Sequence, residues 1–293
     1  MSTPAITVHG RPAKARFALI GHLDSWEKTA AVVQSLRGAD RGPISTRDVR
    51  EIVPFLPPRT VCRVTVFSRD GSRAQGVYVE AFLSPDRLED GSTREKIHRI
   101  REAASYAGRE GASVAALGGF SSIVLEGKVD LLPNHDEVAF TTGNTLTVAY
   151  IVKAVERAAA LAGRALRSQR VLILGATGDV GSGCARYLLP RAGRLLLCAR
   201  NAHRLRRLQR SLASSGTAVS ISTEPEEFLR EADFVVAAAS LSSARFSLRS
   251  VRPDAIVCDA GYPRNILSEG DSGPVVFFGG MGQVLGGLRL DPD

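Results

Sequence analysis

Long apolar runs are missing from this chain. No stretch of the 293 residues approaches the roughly 18 consecutive apolar residues of a membrane-spanning helix, so no span is expected. Met1 to Gly10 is polar and lacks the apolar segment of a secretory signal, so export by that route is not expected either. Cysteine is sparse: Cys62, Cys184, Cys198 and Cys258 stand far apart without a Cys-x-x-Cys pair. That spacing argues against a disulfide framework and a zinc site, leaves no metal expected, and fits a reducing cytoplasm. Lysine is scarcer than the charge suggests. Only Lys14, Lys28, Lys96, Lys128 and Lys153 occur among the 38 basic residues, so lysine chemistry would have to come from the first half of the chain. A repeat of fixed period and a low-complexity segment are also lacking.

What is present is an ordinary globular composition, 44% hydrophobic and 23% charged, in a chain long enough for about two domains. The net charge of +8 rests almost wholly on arginine. It is compatible with a solvated surface or with an anionic partner, and it does not choose between them. The arginines show no aromatic interleaving, so a nucleic-acid partner is not expected. Homo-oligomerisation is left open.

Residues 1–14 read as a frayed tail and 16–20 as a short strand, followed by a helix that Ser25 can cap. The β-rich runs 61–67 and 76–82 flank Asp70-Gly71 and predict a hairpin with a longer loop. Residues 93–109 place Ile97, Ile100, Ala104 and Ala107 on one helical face. A longer helix is expected from Asn144 to Leu161, with Val148, Ile151, Val152 and Val155 as its apolar stripe and Gly163 as its stop. From Arg170 onward the rhythm changes. Short apolar runs at 170–174, 195–199, 218–221, 234–239, 255–258 and 275–278 alternate with helical segments or polar turns. Such runs fit a parallel sheet covered on both faces. The expected fold class is α/β. An N-terminal α/β substrate domain (1–143) and a linking helix (144–165) precede a doubly wound parallel-sheet, or Rossmann, dinucleotide-binding domain (166–293).

The first of those runs leads into Gly175-Ala176-Thr177-Gly178-Asp179-Val180-Gly181, which opens a helix. Gly175 permits the tight turn, Gly178 the close approach of backbone to a pyrophosphate, and Gly181 the packing of helix on strand. The amides of the helix start favour an anion. After the next strand, where a carboxylate would accept from the ribose 2′-hydroxyl, stand Arg200 and Asn201, with Arg204 one turn on. This pattern predicts NADPH as cofactor, unless Arg200 is one more surface arginine. Ala239, Ser240 and Gly261, after later strands, are expected to complete the cofactor site. Tyr262 can flank the nicotinamide, donate a proton, or simply pack in a turn.

Several segments together resemble the cyanobacterial long-chain acyl-acyl-carrier-protein reductases. They are Phe17-Ala-Leu-Ile-Gly-His22-Leu, Ala116-Leu-Gly-Gly-Phe-Ser-Ser-Ile-Val, Phe140-Thr-Thr-Gly-Asn144-Thr, the loop 175–181, and Gly261-Tyr-Pro-Arg-Asn265. The two-domain layout and Cys198-Ala-Arg-Asn201 are similar, more distantly, to shikimate-dehydrogenase-type enzymes. The resemblance implies NADPH-dependent reduction of a fatty acyl thioester to an aldehyde, through a cysteine on a C-terminal continuation. This sequence stops at Asp293 without a matching cysteine. Cys184, Cys198 and Cys258 fall in segments expected to be buried, where thiols are inert.

The expectation is therefore an oxidoreductase that passes hydride directly to a carbonyl- or imine-type group, on a small molecule or on an acyl-carrier protein. Reduction of an acyl thioester to an aldehyde is an alternative, and a non-catalytic nucleotide- and carrier-protein-binding partner is another. For the substrate, the Gly118-Gly119 turn with Ser121 and Ser122 offers amides and hydroxyls, a candidate oxyanion site. Thr141, Thr142 and Asn144 begin the long helix, where ordinary capping is the competing role. Lys153 and His22 are candidate proton donors, set against a solvated lysine and a structural histidine.

Overall fold

The computed structural model describes residues 16–23, 25–37, 40–83, 92–125, 131–132, 138–213, 216–239, 246–261, 264–267 and 273–292. The expected tail at 1–14 lies outside them. The chain divides into two compact units, 1–142 with 284–293, and 143–283.

The first unit opens with β1 (Phe17–Gly21), α1 (Trp26–Arg37) and α2 (Thr46–Ile52). There follow β2 (Arg59–Phe67), β3 (Arg73–Glu80), α3 (Thr93–Arg109), β4 (Val114–Leu117), α4 (Phe120–Val124) and β5 (Ala139–Thr141). The strands lie in the order β2-β3-β1-β4-β5. β1 runs parallel to β3 and β4, and β5 runs parallel to β4. β2 and β3 form the antiparallel hairpin. Its turn closes on Asp70, whose carboxylate accepts from Ser72 N at 2.9 Å, with Gly71 at φ 82°. Ser25 caps α1, its hydroxyl accepting from Lys28 N at 3.2 Å. On one face of the sheet Ala18, Ile20, Val77 and Val79 pack with Ile100, Ala103, Ala104 and Ala107 of α3. The period of two in β3 therefore sends Tyr78 and Glu80 to the opposite face.

The second unit begins with α5 (Asn144–Leu161). It continues through β6 (Arg170–Leu174), α6 (Asp179–Leu188), β7 (Arg194–Cys198), α7 (Ala202–Leu212), β8 (Ala218–Ser222), α8 (Pro225–Leu229), β9 (Phe234–Ala237) and β10 (Phe246–Ser247). It ends with β11 (Ile256–Asp259), β12 (Ile266–Leu267) and β13 (Val275–Phe278). Six strands form one sheet in the order β13-β11-β9-β6-β7-β8, every pair parallel. Counted within the unit this is 6-5-4-1-2-3, the doubly wound order of dinucleotide-binding sheets. Alternate residues serve opposite layers. Val171, Ile173, Leu195 and Leu197 enter one core with α5 and α6, while Leu172, Leu174, Leu196 and Cys198 enter the other with Phe228 and Leu229. Burial on both faces explains why these strands read as continuous apolar runs.

Two boundaries differ from the sequence reading. The helix expected to link the domains belongs to the second unit, because its stripe of Val148, Ile151, Val152 and Val155 shares a core with Cys184, Ala185 and Leu188 of α6. The last residues, assigned to the dinucleotide-binding domain, instead return to the first unit as β14 (Leu288–Pro292), antiparallel to β2. Leu288 and Leu290 remain 52% and 56% exposed, so this edge strand carries no buried apolar run to announce it.

Candidate functional site

The second unit's site is built at the carboxyl ends of the paired strands β6 and β9, the point from which the strand order runs outward in both directions. Gly175 turns the chain at φ 76°, and its amide and that of Ala176 donate to Cys198 O at 2.9 and 3.1 Å. A Cβ on Gly175 would lie 2.7 Å from Ala238 O and 2.9 Å from Ala239 Cα, so the loops after β6 and β9 touch backbone to backbone. Gly178 is the extended N-cap of α6 and offers no side chain to its first amides. A Cβ on Gly181 would collide with the carbonyl oxygen of Gly175 and lie 2.8 Å from its carbon. The first and third glycines are thus required by contact with backbone, which cannot rotate aside.

The neighbours of this loop are polar and ordered by it. Thr177 O accepts from Arg204 Nη2 at 3.0 Å, and Asn201 caps α7 by accepting from Arg204 N at 3.0 Å. Asp179 opens α6, where the helix dipole favours a carboxylate, and accepts from Asn144 Nδ2 at 3.2 Å. Val180 packs on the core beneath. Arg200 follows β7, the strand beside β6, and is exposed with no ion pair among the described residues.

The loops after β9 and β11 are joined by a buried network that sequence reasoning did not single out. Asp259 (2% exposed) accepts from the amides of Gly261, Asn265 and Ile266 at 3.0, 3.0 and 3.1 Å. Asn265 (0% exposed) accepts from Ala239 N at 3.2 Å and donates to Ala239 O at 3.0 Å. A Cβ on Gly261 would lie 2.6 Å from Asn265 Cγ. The available signal was an aspartate ending an otherwise apolar strand: a carboxylate there must be paired to be buried. Ser240 and Tyr262 lie outside the described residues.

In the first unit, His22 and the 118–122 turn meet after β1 and β4. Gly118 N donates to Ile20 O at 2.8 Å, and a Cβ on Gly119, itself at φ 54°, would lie 2.9 Å from His22 Nε2. Ser122 Oγ donates to Gly119 O at 2.8 Å. Ser121 is fully buried, and its hydroxyl has no hydrogen-bond partner among the described residues. Glu80, beside Gly21 in the register, is also buried and accepts from Phe82 N at 2.9 Å and Tyr78 Oη at 3.2 Å. Burial pushes its carboxyl up to about 7, and raises the Tyr78 hydroxyl as well. Phe82 is held at φ 48°, which for a residue with a Cβ costs energy.

Other candidates are dispersed. Thr141 ends β5, and neither it nor Thr142 caps α5: that position belongs to Gly143 at φ 71°, without a side-chain cap. Lys153 is 82% exposed at its side chain and pairs with Glu156 at 3.5 Å, the solvated-helix role. Cys184, Cys198 and Cys258 are buried, which pushes their thiols up to about 12, 11 and 12, while Cys62 on β2 is half-buried. No group of three or more metal-ligating side chains occurs among the described residues, and no described helix is long and apolar enough to cross a membrane.

Comparison with known proteins adds to this geometry. The family profile described as shikimate / quinate 5-dehydrogenase matches residues 156–274. The long-chain acyl-[acyl-carrier-protein] reductase of Synechococcus elongatus is 34% identical over 265 residues, covering 86% of this chain and 74% of the relative. Among solved structures, the A chain of Bacillus subtilis dipicolinate synthase is 14% identical over 91% of this chain and 88% of its own, with a TM-score of 0.40. The nucleotide-binding domain of Thermoplasma volcanium glutamyl-tRNA reductase is 18% identical over 44% of this chain and 84% of its own, with a TM-score of 0.34. Neither structural likeness bears on what this chain does.

Proposed function

The chain belongs to the long-chain acyl-[acyl-carrier-protein] reductase family, and on that premise we propose that it uses NADPH to reduce an acyl group held on an acyl-carrier protein, hydride passing directly to the acyl carbonyl. Membership makes it an NAD(P)-dependent oxidoreductase. The choice of NADPH, the carrier-bound substrate and the direct transfer are the proposal. The observation that carries it is the loop 175–181, whose Gly175 and Gly181 have no room for a Cβ and whose helix start is uncapped, with an arginine rather than a carboxylate after the next strand.

These residues fit the dinucleotide. The amides of Asp179, Val180 and Gly181, in the uncapped first turn of α6, would hold its pyrophosphate against the positive end of that helix. Arg200 would meet the 2′-phosphate with a planar, charged fork. Asn201 and Arg204 act one step back, holding α7 to Thr177 O. Asn265 fixes Ala239, and Asp259 fixes Gly261, so the two loops that would flank the nicotinamide share one buried support. When bound, NADPH supplies a hydride to the acyl carbon, leaving an aldehyde, NADP+ and the carrier's free thiol with uptake of one proton.

In the first unit we assign the substrate's polar groups to Gly118, Gly119, Ser121 and Ser122, with Thr141 and Thr142 as further binding residues. Ser121 supports this because a buried hydroxyl without a partner gains a bond when it meets a carbonyl oxygen. His22 is the favoured proton donor, since it stands against Gly119. The raised thiols of Cys184, Cys198 and Cys258 support direct transfer, because a neutral buried thiol is a poor nucleophile.

The test uses the intact chain with an acyl-carrier-protein thioester. Without NADPH, mass spectrometry should find the chain unacylated; on adding NADPH, aldehyde should appear with stoichiometric cofactor oxidation. An acyl adduct on any cysteine would contradict direct transfer, and failure to form aldehyde would contradict the substrate assignment.

A further inference from the structure

We propose that the first unit carries a separate binding site for a small organic phosphate, in the cavity between α3 and the segment Pro57–Thr60. The cavity has a volume of about 980 Å³, within the range of small-molecule sites. It is built from residues 36–109 alone and shares none with the loop 175–181 of the second unit.

The sequence of α3 makes one wall. Ile100, Ala103, Ala104 and Ala107 bury one face in the core, and the helical period then turns Arg101, Ser105 and Arg109 together to the other, where they line the cavity. The opposite wall is fastened to the helix by Arg99. Its Nη1 donates to Leu56 O at 2.9 Å and its Nη2 donates to Pro54 O. That clamp fixes the stiff Pro57-Pro58 pair and sets Arg59 and Thr60 at the cavity edge. The groove is therefore held open by its own structure.

Its chemistry selects the ligand. Arg59, Arg101 and Arg109 line it, and none has an ion pair among the described residues. The one carboxylate in the lining, Glu102, is already shared by Arg99 and His98, each at 3.6 Å. Guanidinium groups bind phosphate with paired, charge-assisted hydrogen bonds. Thr60 is 3% exposed, its hydroxyl has no partner among the described residues, and its amide donates to Tyr106 Oη at 3.4 Å. Leu36, Pro57, Pro58 and the Tyr106 ring give the same cavity an apolar side for an organic group. A merely solvated basic face would need neither the clamp nor the groove it holds open.

Phenyl phosphate, titrated calorimetrically into the full chain, tests this, with phenol as the probe lacking phosphate. One equivalent of phenyl phosphate should bind, and saturating NADPH should leave that binding in place. Phenol should not bind. The R101A/R109A double variant should weaken binding about tenfold or more, while R206A/R207A, equally exposed arginines on α7, should not. Absence of saturable binding, displacement by NADPH, or equal weakening by both pairs would overturn the site. Amide-exchange protection of β2, β3 and α3 reports that the first unit of each variant is folded, and NADPH affinity read on the same samples keeps failure of this site distinct from failure of the nicotinamide reading.

Discussion

Asn265 grips Ala239 at both its amide and its carbonyl, so its side chain replaces a backbone pairing that two diverging loops cannot make for themselves. Asn265→Ala leaves both groups part-buried without that partner. We expect it to cost about 2 kcal/mol or more, read as a lower denaturation midpoint, and to weaken NADPH binding in parallel. An unchanged midpoint would remove the network from the account. Glu80 makes a prediction about pH. Its carboxyl, ordinarily near 4.5, is pushed up to about 7 by burial. Between those values the folded chain keeps a proton that the unfolded chain has released, so stability falls as pH rises through the window and levels off above it. The full effect is about 3 kcal/mol. Glu80→Gln should therefore gain stability on the parent between pH 5 and 8, measured by denaturant unfolding at each pH. A constant difference between the two proteins would contradict the assignment. Neither residue was legible in the sequence as a support. A lone polar residue at a strand end looks the same whether it faces water or a ring of amides: the partner of Asn265 lies 26 residues away, and although Glu80 bonds to Tyr78 and Phe82, its burial is set by the surrounding fold.

At the scale of elements, the glycine loop was legible because its demands are local. Each glycine answers to a turn or to a backbone a few residues away, and the strands on either side announce themselves as apolar runs. Gly181→Ala should lose about 1–3 kcal/mol by overpacking and abolish NADPH binding, since the new methyl meets the Gly175 carbonyl. Gly42→Ala, where nothing lies within 4 Å, is the matched control and should stay within about 0.5 kcal/mol. Equal behaviour of the two would mean that Gly181 is not a close-packing position. Less legible was the allegiance of α5. Its apolar stripe predicted burial correctly but not the partner: Gly183 lets α6 come close, a Cβ there lying 2.7 Å from Val148 Cγ2. That complementarity is a property of two helices and is invisible in either alone.

For the whole molecule, the sequence pattern conveyed an α/β fold with a doubly wound parallel sheet, but not that the chain returns to its first unit. Strand β14 pairs five residues with β2 while leaving its leucines exposed, so the pairing is backbone-driven and leaves no apolar signature. Ending the chain after Gly287 should therefore raise amide exchange in β2, while β6 and β7 keep their protection. Uniform loss across both units would contradict the division. The proposed activity requires NADPH to be held by the loop 175–181 with Arg200 on its 2′-phosphate. Equilibrium titration of NADPH and NADH into the parent chain and Arg200→Ala tests that most directly. The parent should bind NADPH about tenfold or more tighter than NADH, equivalent to about 1.4 kcal/mol, and the variant should lose that preference while still binding NADH. No binding of either nucleotide, or a preference untouched by Arg200→Ala, would contradict it.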